Sequence, residues 1–304
     1  MLLGGCAGNV PLPTNVAPIE LTGVPFFPQT EYQCGPAALA TILAHEGVPV
    51  DADGLVDAVY VEGLRGSLQP ELLGATRRNA RIPYVLEPEP AALFAELAAG
   101  RPVLVLQNLG FERVPVWHYA VVVGFDSDSG RVILRSGTER RRLERIGRFL
   151  RSWERADNWG FVALRPGVLP ATATPARYVR ALASAEPWLQ PSHTLAAYRT
   201  ALAEWPKDEL VLFAAAAREH ARGDLVSAAA LYRQLIALAP EHAAARNNLA
   251  NVLAEQGCYD QALSEARAAL ESIDSGSELH AAISDTLASI EKTSAGAAAA
   301  AQCL

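Results

Sequence analysis

Three residue types recur at one interval in the C-terminal half of the chain. Gly223 and Gly257, Pro206 and Pro240, and Tyr198 and Tyr232 are each 34 residues apart. A fixed period of this size admits few folds, because one unit cannot bury its apolar face alone and must stack on the next. Each period sets a glycine between two alanine-rich helical stretches and a proline or a break after the second. Small residues such as Ala229 and Ala262 stand where those helices must cross closely. "ARNNLANVLAEQGCYDQALSEARAAL" is the clearest copy, residues 209–242 are a weaker one and 176–208 a degenerate one. "SELHAAISDTLASIEK" is predicted to be a helix covering the last open face.

These repeats resemble the tetratricopeptide repeat. The resemblance implies a concave helical surface that binds a protein or peptide partner. The N-terminal half has a different grammar. "GPAALATILAHEG", "DADGLVDAVY", "SLQPELLGATRRNA" and "EPAALFAELAAG" read as helices, the first and last ended by Gly47 and Gly100. The period then changes. "RPVLVLQNL", "WHYAVVVGFD", "RVILRSG" and "WGFVALRP" are short β-branched or aromatic runs bounded by turn residues. "DSDSG" is a hairpin loop, and "LERIGRFLRSWERA" is predicted to be a helix with Phe149 and Trp153 on one face. Helices followed by strands predict an α+β domain with an antiparallel sheet.

Composition narrows the function. With 304 residues, 50% hydrophobic and 19% charged, the chain is long and apolar enough for two packed domains. A net charge of -7 argues against a nucleic-acid partner. Cys6, Cys34, Cys258 and Cys303 form no CxxC pair, so neither a zinc site nor a disulfide framework is expected. No cofactor is implied, and no apolar run has the length to cross a bilayer.

The chemistry concentrates in "PFFPQTEYQCGPAALATILAHEG". Cys34 precedes Gly35-Pro36, and proline suits a first helical turn because its missing N–H would be unpaired there anyway. A cysteine at a helix N-terminus meets free N–H groups and the positive end of the dipole, which favour a thiolate. Gly35 is expected to leave room for a substrate carbonyl. A structural cysteine more often lies mid-helix on an apolar face, the position expected for Cys258. Gln29 can donate to the oxyanion formed when a thiolate attacks a carbonyl, with the Cys34 N–H as second donor. Gln33 competes for that role but adjoins the nucleophile. Of six histidines, four lie in the repeat half, and His45 ends the Cys34 helix about 16 Å away at 1.5 Å per residue. His118, opening an apolar strand, remains as the base.

"QTEYQCGPAALATIL" followed by "HYAVVVGFDSDSGRVILRSG" resembles the bacteriocin-processing cysteine peptidases, papain-like domains that remove double-glycine leader peptides. The resemblance covers about residues 24–165 and implies a thiol peptidase with Cys34 as nucleophile, His118 as base and Gln29 at the oxyanion. Family members place an Asp at the end of the next strand to orient the histidine. Here Ser136 falls at that position, which leaves a Cys-His dyad. Asp126 and Asp128 lie in the hairpin at the other end of the strand.

The fold class expected is an α+β papain-like cysteine peptidase domain followed by an all-α tetratricopeptide-repeat array. Residues 1–23 form a lipobox-like N-terminus and tether, 24–165 the peptidase-like domain, 166–175 a Pro- and Thr-rich linker, 176–292 the repeats with their capping helix, and 293–304 a disordered tail. Leu3-Gly4-Gly5-Cys6 resembles the lipobox of bacterial lipoproteins, which implies lipidation of Cys6 and anchoring in the cell envelope. A cytoplasmic location is the alternative. The run from Arg135 to Arg151 is expected to be a solvated helix face. Trp153 and Trp159 are expected in the core. Two further functions share the same residues. One is a decayed peptidase kept as a peptide-binding scaffold, which Ser136 favours. The other is a cell-wall amidase or transferase.

Overall fold

The structure is a computed structural model that describes residues 17–28 and 33–295. Cys6, Gln29, Cys303 and most of the expected tail lie outside the described residues. The chain divides into two compact units. The first ends at Thr174 and also takes in Arg180–Gln190, while the second comprises Pro175–Val179 and the chain from Pro191 onward.

The first unit is α+β. Its helices are α1 (Cys34–His45), α2 (Asp53–Val59), α3 (Gln69–Arg78), α4 (Pro90–Ala98) and α5 (Ile146–Glu154). Its strands are β1 (Ile19–Glu20), β2 (Tyr60–Val61), β3 (Gly66–Ser67), β4 (Ile82–Val85), β5 (Val103–Asn108), β6 (Trp117–Asp126), β7 (Arg131–Ser136), β8 (Glu139–Arg145) and β9 (Gly160–Leu164). The main sheet runs β4-β9-β5-β6-β7-β8, with β1 added on β6, and every pairing in it is antiparallel. Strands β2 and β3 form a separate small ribbon.

Helix α1 has no polar face. Its residues from Gly35 to Leu43 are buried, so it works as the central core helix rather than a surface one. Leu39, Ile42 and Leu43 pack with Tyr119, Val121 and Val123, which alternate along β6 and so share one face of the sheet. Full burial of each such side chain contributes about 1.5–3 kcal/mol. Trp153 is wholly buried and Trp159 packs at the core edge, with the Trp153 indole N–H donating to the Trp159 carbonyl at 2.9 Å.

Several expectations need correction. Ile19–Glu20, in the stretch expected to be a tether, pairs with β6, and Val24 is fully buried. The expected linker is tied down within the first unit. The Ala171 N–H donates to buried Glu96 at 2.7 Å, and the Tyr84 hydroxyl donates to the Thr172 carbonyl at 3.2 Å. The arginine run is not one helix. Residues 139–145 form edge strand β8, because cross-strand pairing with β7 outweighs the helical preference of the stretch. Arg135 points inward and donates to the carbonyls of Val24 and Arg140.

The rest of the chain is helical: α6 (Pro175–Ala185), α7 (Pro191–Glu204), α8 (Glu209–Ala221), α9 (Leu225–Leu238), α10 (Ala243–Glu255), α11 (Tyr259–Glu271) and α12 (Glu278–Ser294). Gly223 and Gly257 take φ of 84° and 80°, the left-handed backbone that lets α8 turn into α9 and α10 into α11. Ala229, Ala262 and Tyr232 are buried between helices, as close crossing requires. Cys258 is the N-cap residue of α11 rather than a mid-helix residue.

Candidate functional site

Cys34 is the first residue of α1 and is partly buried. Proline at the third position and a run of small and aliphatic residues start the helix without a side-chain cap. Gly35 does not face open space. A Cβ there would lie 2.2 Å from the Ser67 Oγ and 2.5 Å from the Ser67 Cβ, so the glycine admits the β3 strap and not a substrate carbonyl. The strap is fixed from its other side by the Tyr119 hydroxyl, which donates to the Ser67 carbonyl at 3.2 Å.

His118 is the second residue of β6, opposite Gln107 of β5. Gln107 is buried and donates to the Ser152 Oγ at 2.7 Å, which holds that end of the sheet rigid. Val121 pairs with Arg135, so one step further places Ser136 opposite Ala120 and diagonal to His118 on the same face. A register shift between Leu134 and Ser136 lies beside this position. The outcome is a contact of 2.8 Å between His118 Nε2 and Ser136 Oγ, with Ser136 only 2% exposed.

Cys34 and His118 line one cavity of about 780 Å³. Tyr119, Ser67, Arg65 and Asp157 share the lining. No hydrogen bond joins Cys34 to His118 among the described residues. Ser136 holds the imidazole through Nε2, which leaves Nδ1 for proton transfer. Asp126 bonds within its own hairpin, to Ser129 and to the Asp128 N–H.

The electrostatics depart from the thiolate expected at a helix start. Burial pushes the Cys34 thiol up, against the lowering effect of the backbone N–H groups of Tyr119, Gly35 and Cys34 itself. Desolvation outweighs the helix terminus here because Cys34 packs against the hydrophobic core. Burial, assisted by the positive charge of Arg142, moves His118 from 6.5 down to about 4. With no carboxylate at Ser136 to offset this, the resting pair is a neutral thiol and a neutral imidazole. Such a pair can still run general-base attack, with the proton moving as the sulfur adds.

Sequence reasoning missed the cavity walls formed by residues 64–69 and by Leu106, Val116 and Trp117. A signal was present in "LGFERVPVW", an apolar stretch between two strands where a connection is normally polar. No metal-binding group of three or more His, Cys, Asp or Glu occurs among the described residues.

Residues 21–159 match the Peptidase C39-like family model, and residues 219–285 match the tetratricopeptide repeat. Solved structures similar to this chain include a C39-like peptidase from Bacillus anthracis, at 16% identity over 49% of this chain and 98% of that one, TM-score 0.42. A double glycine motif protease from an AMS/PCAT transporter, in complex with the leader peptide, is 18% identical over 49% of this chain and 98% of that one, TM-score 0.36. A tetratricopeptide repeat protein from Parabacteroides merdae is 18% identical over 39% of this chain and 46% of that one, TM-score 0.35. No curated protein matches. Residues 21–159 therefore carry a Peptidase C39-like family-model domain, in a chain that continues into tetratricopeptide repeats.

Proposed function

We propose that the first unit is a thiol hydrolase acting on a peptide or related amide bond. The observation that carries this reading is the shared cavity in which His118 is anchored through Nε2 while Cys34 faces the same space. In the tautomer that donates Nε2–H to Ser136, Nδ1 holds a lone pair. It takes the Cys34 proton as sulfur attacks the carbonyl and returns it to the leaving amine. Water then adds to the thioester, His118 accepting its proton, and the acid product leaves with the thiol restored. The Cys34 N–H and Gln29 are the proposed oxyanion donors.

The test is capture of the full chain by peptidyl acyloxymethyl ketone probes, read by mass spectrometry. Modification of Cys34 that falls at least about a hundredfold in His118→Ala supports the hydrolase. Labelling indifferent to His118 sinks it and favours a second reading, a peptide-binding clamp. That reading draws on the uncharged imidazole and the serine at position 136.

For the second unit we propose docking of a protein or peptide on the helical repeats. For the N-terminus we propose lipidation at Cys6 and an envelope location, on the strength of the lipobox-like Leu3-Gly4-Gly5-Cys6. Partition into the detergent phase, lost in Cys6→Ala, tests the anchor. Retention in the aqueous phase argues against it.

A further inference from the structure

The large apolar side chains that the first unit leaves exposed are not scattered. Most of them fall in two segments, residues 64–68 and 109–117, and both segments supply walls of the cavity that holds Cys34. Leu64 is 61% exposed, Phe111 82% and Trp117 54%. Single exposed apolar residues need no explanation, but a contiguous group around a nucleophile marks a binding surface.

The second segment is built to hold its shape. Asn108 Oδ1 accepts from the Gly110 and Val116 N–H groups, each at 3.0 Å. The Leu109 N–H donates to the Val116 carbonyl at 2.8 Å, and Phe111 and Val114 exchange a pair of backbone bonds at 3.2 and 3.1 Å. Arg155 donates to the Asn108 carbonyl at 2.7 Å and so fixes the base of the arm. Gly110 permits the tight return, since a Cβ there would stand 2.3 Å from the Val114 carbonyl. The backbone N–H groups of Leu109, Gly110, Phe111, Val114 and Val116 are thus bonded within the arm or to Asn108, while the side chains of Leu109, Phe111 and Val114 stay exposed. A pre-ordered apolar surface loses little entropy on binding. Facing it, the strap of residues 64–68 is pinned by the contacts of Ser67 with Gly35 and Tyr119.

We infer that arm and strap together cradle a peptide carrying bulky apolar side chains beside the scissile bond. This deepens the hydrolase reading and rests on it for the identity of the bond. The cavity's volume and its leucine, valine and tryptophan walls offer nothing to a glycine pair, which has no side chain to bury. Arg65 and Asp157 bring opposite charges to the lining, so charge of one sign gives no basis for selection. Apolar area is what the site can discriminate.

The experiment is isothermal titration of the full chain carrying Cys34→Ala with two acetylated hexapeptide amides, one with Leu-Phe at its centre and one with Gly-Gly there in an otherwise all-alanine sequence. The Leu-Phe peptide is expected to bind at least about tenfold tighter, and Trp117→Ala should erase the difference. Phe111→Ser, at the exposed tip, gives a second variant should Trp117→Ala fail to fold. Equal affinity, or no binding of either peptide, overturns the inference. So does flotation with phosphatidylglycerol vesicles, or dimerisation in sedimentation, that Phe111→Ser abolishes while peptide preference is absent. No bond is broken in the Cys34→Ala background, so a negative result here leaves the His118-dependent probe capture of Cys34 as an independent test of the hydrolase.

Discussion

At the scale of single residues, one serine decides how the site rests. His118 touches Ser136, which carries no charge, and Arg142 adds a positive one nearby, so the imidazole stays neutral down to about pH 4. Ser136→Asp should raise the His118 pKa by about one to three units, the effect of an opposite charge within a few ångströms. Iodoacetamide should then alkylate Cys34 at neutral pH about tenfold faster or more; an unchanged rate would show that the acid does not reach the dyad. His118 also links stability to pH. The unfolded chain takes up this proton below 6.5 and the folded chain holds it off until about 4. Acidification through that window therefore favours unfolding, on the order of 2 kcal/mol. Melting curves at pH 7 and pH 4.5 should show His118→Gln losing less stability on acidification than the parent. Cys34, His118 and Ser136 could all be picked out from motif and spacing. The thiol's protonation could not, because a helix start is visible in "QCGP" while the core that buries Cys34 is assembled from segments far along the chain, such as Tyr119 and Val121.

At the scale of elements, the contact between α1 and β3 sets the geometry around the sulfur. Gly35→Ala forces a methyl group into the Ser67 side chain and should destabilise the protein by about 1–3 kcal/mol. Ser67→Gly should recover much of that loss in the double variant, measured by urea unfolding. Independent, additive losses would show that the two residues do not press on each other. The helices and main strands of the first unit could be read from their apolar periods, and the turns at Gly47 and Gly100 from their glycines. The strand at 139–145 could not. Its sequence is mostly arginine and glutamate, and only the neighbouring β7 supplies the backbone partners that hold it extended. Its charged side chains suit an edge, where they discourage pairing with another chain. The small ribbon of Tyr60–Val61 with Gly66–Ser67 was hidden for a related reason, each strand being two residues long.

At the scale of the whole molecule, two units with separate cores need not unfold together. Four of the five tryptophans, Trp117, Trp153, Trp159 and Trp188, belong to the first unit, while the second is built of helices. Urea curves from tryptophan fluorescence and from far-ultraviolet circular dichroism should therefore have different midpoints. Coincident curves would mean that the two cores melt as one. The 34-residue period made the helical array legible because it repeats, whereas the cavity walls come from two loops that no period connects. The burial of Cys34 has a consequence for the life of the molecule between substrates. Peroxides attack thiolates, and a sulfur that keeps its proton is oxidised slowly. The same burial that makes the nucleophile wait also lets it survive the waiting.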